Sequence, residues 1–335
     1  MAISKFKIYK LHFSTPVHLG DMRDDYGISL KTIDSDTMYA ALISCLAKLG
    51  RNIPQEGDLG CTISSLFPFY QESENSNAVY FFPKPLKQTF PTSEKAVTER
   101  KKIKKVVWLD TLYFSKILCG KQLFDDGSID TAIHGEYMTD MEIDDDFITS
   151  QVSARVAVSR DGKEDARPFY MDRVMFKGNS GLFFIADGDT RLLDKSLNLL
   201  QSEGVGTDRN VGNGYFEYRT DTIEIDIPEH SDYMMSLSSF IPESKSQLQT
   251  MLDSNDVAYD FKRRGGWITT PPHNTLRKNV IYAFTAASVL KSECAGLCIK
   301  GVVGVDLKPE LEWATQINHP IWRCGRALFL PIKLN

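Results

Sequence analysis

The chain has 335 residues, 42% apolar and 25% charged, a composition ordinary for a folded protein of about two domains at ~150 residues each. No run of about 18 apolar residues occurs, so a membrane-spanning helix is not expected. The net charge of −5 is wrong for a protein that coats nucleic acid over its whole surface, and it directs attention to local charge instead.

Residues 5–13 read as a strand that is apolar on both faces, with Phe6 and Ile8 on one and Tyr9, Leu11 and Phe13 on the other. The opening "MAISKFKIYKLHF" mixes charge and apolar residues, which fits that strand and not a secretory signal. The loop "STPVHLGD" follows. A helix is expected from Ser35 or Asp36, either of which can cap it, through Met38, Leu42, Cys45, Leu46 and Leu49 to Gly50. Proline-punctuated strands "ISSLFPFY" and "VYFFPKPL" come next, and "KKIKKVVWLD" reads as another strand. Residues 120–150 are polar and acidic and read as an excursion outside the core. "VSARVAVSR", "PFYMDRVMF" and "GLFFIAD" return to strand-like alternation.

Residues 191–203 read as a helix with Leu193, Leu197 and Leu200 on one face and Gly204 at its left-handed cap. Then comes "GVGTDRNVGNGYFE", with Gly204, Gly206, Gly212 and Gly214 around Arg209. Glycine at this density lets backbone approach phosphate closely. Dinucleotide and P-loop sites run strand, loop, helix; here the order is helix, loop, strand, and no G-K-[ST] is present, so a small-nucleotide pocket is not expected. A fresh first strand in "IPEHSDYMMSLSSFIP" suggests a boundary near residue 230. A strand pair is expected around "YDFKRRGGWITTPP", "NVIYAFTAASVL" is open between strand and helix, and "RALFLPI" closes the chain as a strand.

Basic residues gather in "RKKIKK" at 100–105 and in a stretch from 261 to 292 that holds Lys262, Arg263, Arg264, Arg277, Lys278 and Lys291 and no acid. Acids gather in "DMEIDDD", which lacks the rhythm of a calcium loop. Cys294 and Cys298 lack the further ligands that a zinc site needs, and no nucleophile motif occurs, so no metal, cofactor or catalytic residue is expected. The six scattered cysteines read as reduced thiols of a cytoplasmic protein.

Taken in order, "VHLG", the late glycine loop, "SLFPFY…YFFPKPL", "RVAVSR…PFY…GLFFI", "FKRRGGWIT" and "HPIWRCGRALFLPI" resemble the RAMP superfamily of CRISPR-associated proteins. Within it they are similar to the subunit-four family of type III-A (Csm) RNA-guided effector complexes; the equivalent family of type III-B complexes is a close alternative. The resemblance implies an α+β fold of two tandem ferredoxin-like (RRM-like) domains, at 1–230 and 231–335, with a hairpin inserted at about 87–153. It implies a protein that does not cut RNA. Such a protein caps the 5′ handle of the CRISPR RNA and bridges the large polymerase/nuclease subunit to the adjacent backbone subunit, meeting target RNA through the complex. Thr207 and Asp208 depart from the family's glycine pattern.

The RNA-binding candidates are His18, Arg155, Arg160, Gly206, Arg209, Gly212, Gly214, Lys262, Arg263, Arg264 and Trp267. Backbone amides and guanidinium groups suit phosphate, and Trp267 suits base stacking. Structural alternatives stand beside them: Gly204 as a helix cap, His18 as a loop brace, Arg155 and Arg160 in ion pairs with a nearby acid such as Asp161, and Trp267 in a core. The rival enzymatic reading, a CRISPR RNA-processing ribonuclease of the same superfamily, would use His12 and His18 as general acid and base.

Overall fold

The computed structural model describes residues 2–20, 26–87, 102–121, 123, 129–158, 165–291, 296–309 and 317–334. The first strand, β1 (Ala2–Phe13), lies inside a nine-stranded sheet because both its faces are apolar. The other strands of this sheet are β2 (Cys61–Ile63), β3 (Phe67–Tyr70), β4 (Val79–Pro83), β5 (Trp108–Asp110), β6 (Ile133–His134), β7 (Tyr137–Met138), β10 (Gly181–Gly188) and β11 (Phe216–Ile227). The order is β11-β1-β10-β3-β4-β5-β7-β6, with β2 also on β10; only β5 and β7 run parallel. β8 (Ile148–Ala157) and β9 (Arg167–Phe176) form a separate two-stranded hairpin.

Helices α1 (Ser35–Lys48) and α3 (Arg191–Glu203) cover one face of the sheet, where Met38, Leu42, Leu46, Leu193, Leu197 and Leu200 meet Tyr9, Leu11 and Phe184. On the other face lies α2 (Thr111–Leu118), whose Phe114 stacks on Phe82 at 4.4 Å between ring centres. That face also receives a second sheet, made of β12 (Tyr233–Ser236), β15 (Val289–Lys291), β16 (Cys298–Lys300) and β19 (Ala327–Pro331). Met235, Leu237, Val289, Leu328 and Leu330 share one core with Phe6, Ile8, Phe183 and Ile225. A fully buried side chain of this size contributes roughly 1.5–3 kcal/mol, so the shared core fastens the two sheets firmly. The rest of the chain's last third comprises α4 (Lys245–Leu252), the ribbon of β13 (Phe261–Arg264) with β14 (Ile281–Phe284), and the short pair β17 (Val305–Asp306) with β18 (Trp322–Arg323).

The fold is thus mixed α+β, as expected, and the helices at 35 and 191 fall where their periodicity puts them. Several expectations are corrected. Residues 102–105 are helical, and the strand anticipated across "KKIKKVVWLD" is confined to Trp108–Asp110; Ile103 and Val106 are buried at helical, not strand, spacing. Part of the stretch at 120–150 enters the core: Tyr137 and Phe147 lie 4.8 and 6.1 Å from the Phe81 ring, and β7 extends the main sheet. A few well-placed aromatic residues outweigh an acidic average. Within 87–153, Ile103, Val106, Leu109, Phe114, Ala132 and Met138 pack into the core, so this stretch is not an inserted hairpin throughout; residues 88–101, 122 and 124–128 lie outside the described set. The long exposed hairpin is β8–β9, further along the chain. "NVIYAFTAASVL" resolves into two strands hinged at Ala287, which has a φ of 72°. Cys298 is disulfide-bonded, contrary to the expectation of six free thiols, while Cys45, Cys61, Cys119 and Cys324 are free. No helix among the described residues is long and apolar enough to cross a membrane.

Candidate nucleic-acid interface

The glycine loop follows α3 and leads into β11, so its ends are held by the sheet. Its conformation is set by left-handed backbone at Gly206, Asp208, Gly212 and Gly214, with φ values of 85°, 58°, 89° and 76°. Two of these glycines are dictated by packing inside the protein. A Cβ on Gly206 would stand 2.3 Å from the His18 carbonyl oxygen, and one on Gly214 would stand 1.9 Å from that of Val205. Gly212 has nothing within 4 Å of that position, so only its backbone conformation calls for glycine.

The loop is laced to residues 14–18. Gly214 donates its N–H to Pro16 O at 2.8 Å, Thr207 donates to His18 O at 3.0 Å, and Ser14 donates to Tyr215 O at 3.0 Å. Tyr215 reaches back to donate its hydroxyl to Arg209 O. These bonds use the inward-facing amides. Among the described residues, the N–H groups of Gly206, Asp208, Arg209 and Asn210 have no partner, and no acid pairs the half-buried Arg209 guanidinium. Rigid backbone with unpaired donors beside a free guanidinium is the arrangement that accepts phosphate oxygens with little reorganisation. Asp208 would oppose a polyanion, but its carboxylate is paired with Arg155 of the hairpin at 3.3 Å.

The candidate histidines lie elsewhere. His18 is buried, its Nδ1 2.7 Å from Asp172 O and its ring beside Tyr26. It braces the loop and does not reach the surface, which corrects the expectation of an RNA contact. His12 sits on β1 with its edge to Phe69 and a buried Nε2 that has no partner among the described residues. Burial, then the charges of Lys10 and Arg219, pushes its pKa down, keeping the ring neutral at neutral pH.

Arg155 is engaged with Asp208, not with Asp161, and Arg160 and Asp161 lie outside the described residues. In the ribbon β13–β14, strand alternation separates the three cations. Lys262 and Arg264 face inward, pairing with Asp34 at 3.3 and 3.0 Å. Arg264 also pairs with Asp36 and is only 11% exposed, so it is not available to phosphate; this too corrects the sequence expectation. Arg263 points outward and is exposed. Trp267 lies under the Arg277 guanidinium at 4.8 Å, which covers one face of the indole.

The cluster that captures Arg264 was not legible in the sequence. Asp36, in the first turn of α1, is 2% exposed and also receives Arg323 at 3.0 Å. Burial acts to raise the Asp36 carboxyl, but Arg264 and Arg323 outweigh it and hold the group below the usual carboxylate range. Nearby, burial and then the charge of Arg323 push the Lys278 amine down to about 8. Arg326 adds a further tie to Asp58 at 2.7 Å. These pairs join residues 34–58 to residues 262–326 and fix the ribbon. Among the described residues, no group of three or more His, Cys, Asp or Glu side chains converges as metal ligands.

Among known proteins, this α+β chain is similar to CRISPR-associated ones. Residues 229–332 match the family model of the CRISPR Csm4 C-terminal domain. The CRISPR system Cms protein Csm4 of Mycobacterium tuberculosis (strain ATCC 25618 / H37Rv) is 24% identical over 336 residues, spanning 97% of both chains. The protein of the same name from Methanocaldococcus jannaschii is 25% identical over 269 residues, spanning 70% of this chain and 66% of that one. The C-terminal third therefore matches the Csm4 family model, and the chain as a whole is similar to Csm4 proteins. Its fold is shared with solved structures. A chain in the crystal structure of a Csm3–Csm4 subcomplex of the type III-A CRISPR-Cas interference complex superposes with a TM-score of 0.57 at 18% identity, covering 98% of this chain and 100% of that one. A chain of a Csm1–Csm4 cassette in complex with cA4 gives 0.57 at 17% identity, covering 99% of each.

Proposed function

We propose that this chain is a non-catalytic, RNA-binding subunit of a type III-A effector complex that holds the 5′ handle of the CRISPR RNA. The observation that carries the reading is the pinned loop at 204–214, with four amides and the Arg209 guanidinium that have no partner among the described residues. Phosphate recognition needs such donors fixed before the ligand arrives. The related solved structures pair Csm4 with Csm1 and with Csm3, which supports a large polymerase/nuclease subunit and a backbone subunit as this chain's neighbours, with target RNA met through the assembly. The organisation that goes with this role is two ferredoxin-like domains at 1–230 and 231–335, and a cytoplasmic location. The ribonuclease alternative has little geometric basis, because His18 is buried and the buried Nε2 of His12 has no partner among the described residues.

The test is binding of fluorescent handle RNA to the purified chain across a salt series. Affinity should fall with salt, and Arg209→Ala should weaken binding several-fold and lower the salt slope by about 1. Unchanged affinity and slope in that variant would reject the loop as the phosphate site. Site-specific cleavage of repeat RNA that depends on His12 would revive the ribonuclease.

A further inference from the structure

The inner face of the β13–β14 ribbon is spent on ion pairs to Asp34 and Asp36, but its outer face is not. The register sets Phe261 across from Phe284 and Arg263 across from Tyr282, so these four side chains share one face. Phe261 and Tyr282 are diagonal neighbours, their ring centres 5.8 Å apart and nearly perpendicular. They are 54% and 59% exposed. Tyr259, also exposed, continues the row with its ring 5.3 Å from that of Phe284. Large aromatic rings left this open on a rigid ribbon call for an occupant.

Charge identifies the occupant. Arg263 stands outward beside the rings with no acid paired to it among the described residues, whereas Lys262, Arg264 and Lys291 are tied to Asp34, Asp36 and Asp253. A polyanion with flat apolar groups at regular intervals matches that surface, and single-stranded nucleic acid is such a polymer. The inward ion pairs hold the ribbon in place, so binding would order little.

We propose that the outer face of the β13–β14 ribbon is a base-stacking platform for single-stranded RNA, with Phe261 and Tyr282 receiving a base and Arg263 the adjoining phosphate. The platform rests on the RNA-binding role proposed above and adds a second contact, on the opposite side of the ribbon from Lys262 and Arg264. It replaces Trp267 as the stacking residue, since that indole carries Arg277 on one face.

The experiment uses the full chain and fluorescein-labelled polyuridine, read by anisotropy. Phe261→Ala with Tyr282→Ala should weaken binding roughly five- to a hundred-fold, as removal of stacking partners does elsewhere, and leave the salt slope unchanged. Arg263→Ala should lower the slope by about 1. Phe261→Tyr, which keeps the ring, should retain wild-type affinity. A double-alanine variant that binds RNA like the wild type overturns the platform while leaving the glycine loop standing. The same variant keeping RNA affinity but failing to co-purify with the other effector subunits makes the face a protein-docking surface and also overturns it. A wild-type chain that binds neither polyuridine nor handle RNA removes the platform together with the RNA-binding role.

Discussion

Replacing Gly214 and Gly212 separately by alanine distinguishes internal packing from ligand clearance in the loop. Both residues have positive φ, so each alanine carries a left-handed penalty of about 1–2 kcal/mol. At Gly212 the cost should stop there, because nothing lies within 4 Å of the new methyl. At Gly214 the methyl would sit 1.9 Å from the Val205 carbonyl oxygen, a rigid backbone atom. Relief requires the chain to move, which breaks the bond from Val205 N–H to Gly214 O and strains that from Gly214 N–H to Pro16 O. Each such bond is worth about 1 kcal/mol net, so Gly214→Ala should lose about 2–4 kcal/mol in total. Urea unfolding of the two variants at matched concentration measures the difference. Handle-RNA binding should show the reverse selectivity for Gly212→Ala: a smaller loss of stability than Gly214→Ala, but weaker binding if the methyl projects where phosphate passes. Equal destabilisation by the two substitutions would refute the packing argument.

The buried cluster makes further predictions. Asp36→Asn leaves Arg264 and Arg323 without their shared carboxylate and should cost about 3–5 kcal/mol in urea unfolding, as broken buried pairs do. The Asp36 pKa is depressed in the folded protein, so its stabilisation is present above the unfolded carboxylate pKa of about 3.9 and is lost as pH falls through the lower folded value; Asp36→Asn should flatten that part of the acid-unfolding profile. Lys278 behaves in the opposite sense. With a folded pKa of about 8 against 10.5, the unfolded chain binds more protons between those values, so stability should rise with pH across that window. Lys278→Met should remove the rise, gaining about 1–3 kcal/mol at pH 7 in thermal or urea unfolding. Asp208→Asn keeps a side chain that tolerates left-handed backbone and removes a negative charge from the loop, so handle RNA should bind a few-fold more tightly in anisotropy.

Periodicity revealed what depends on neighbours along the chain. Leu193, Leu197 and Leu200 announce their helix, and Phe6 to Leu11 announce a strand covered on both sides. The helix–loop–strand order around Arg209 was also visible. What stayed hidden depends on contacts between distant segments. Nothing near Asp36 in sequence signals that Arg264 and Arg323 will close on it, and that capture removes Arg264 from the RNA-binding candidates. His18 looked like a loop residue, yet Asp172, far along the chain, pulls it into the interior. Residues 137–147 read as peripheral because composition averages over a window, whereas a few buried side chains, Tyr137, Met138 and Phe147 among them, decide where the segment lies. Alternation along "DFKRRG" did hold the clue to the outward face of Phe261 and Arg263, once a ribbon was assumed.

The central claim is that the phosphate backbone of the handle crosses the loop at 204–214. A structure of the assembled effector particle with its guide RNA tests it most directly. The account predicts phosphate density within hydrogen-bonding distance of the Arg209 guanidinium and of the free amides at Gly206 and Asp208–Asn210. A loop buried against protein alone, with the nearest nucleotide beyond reach of any of these groups, would contradict it.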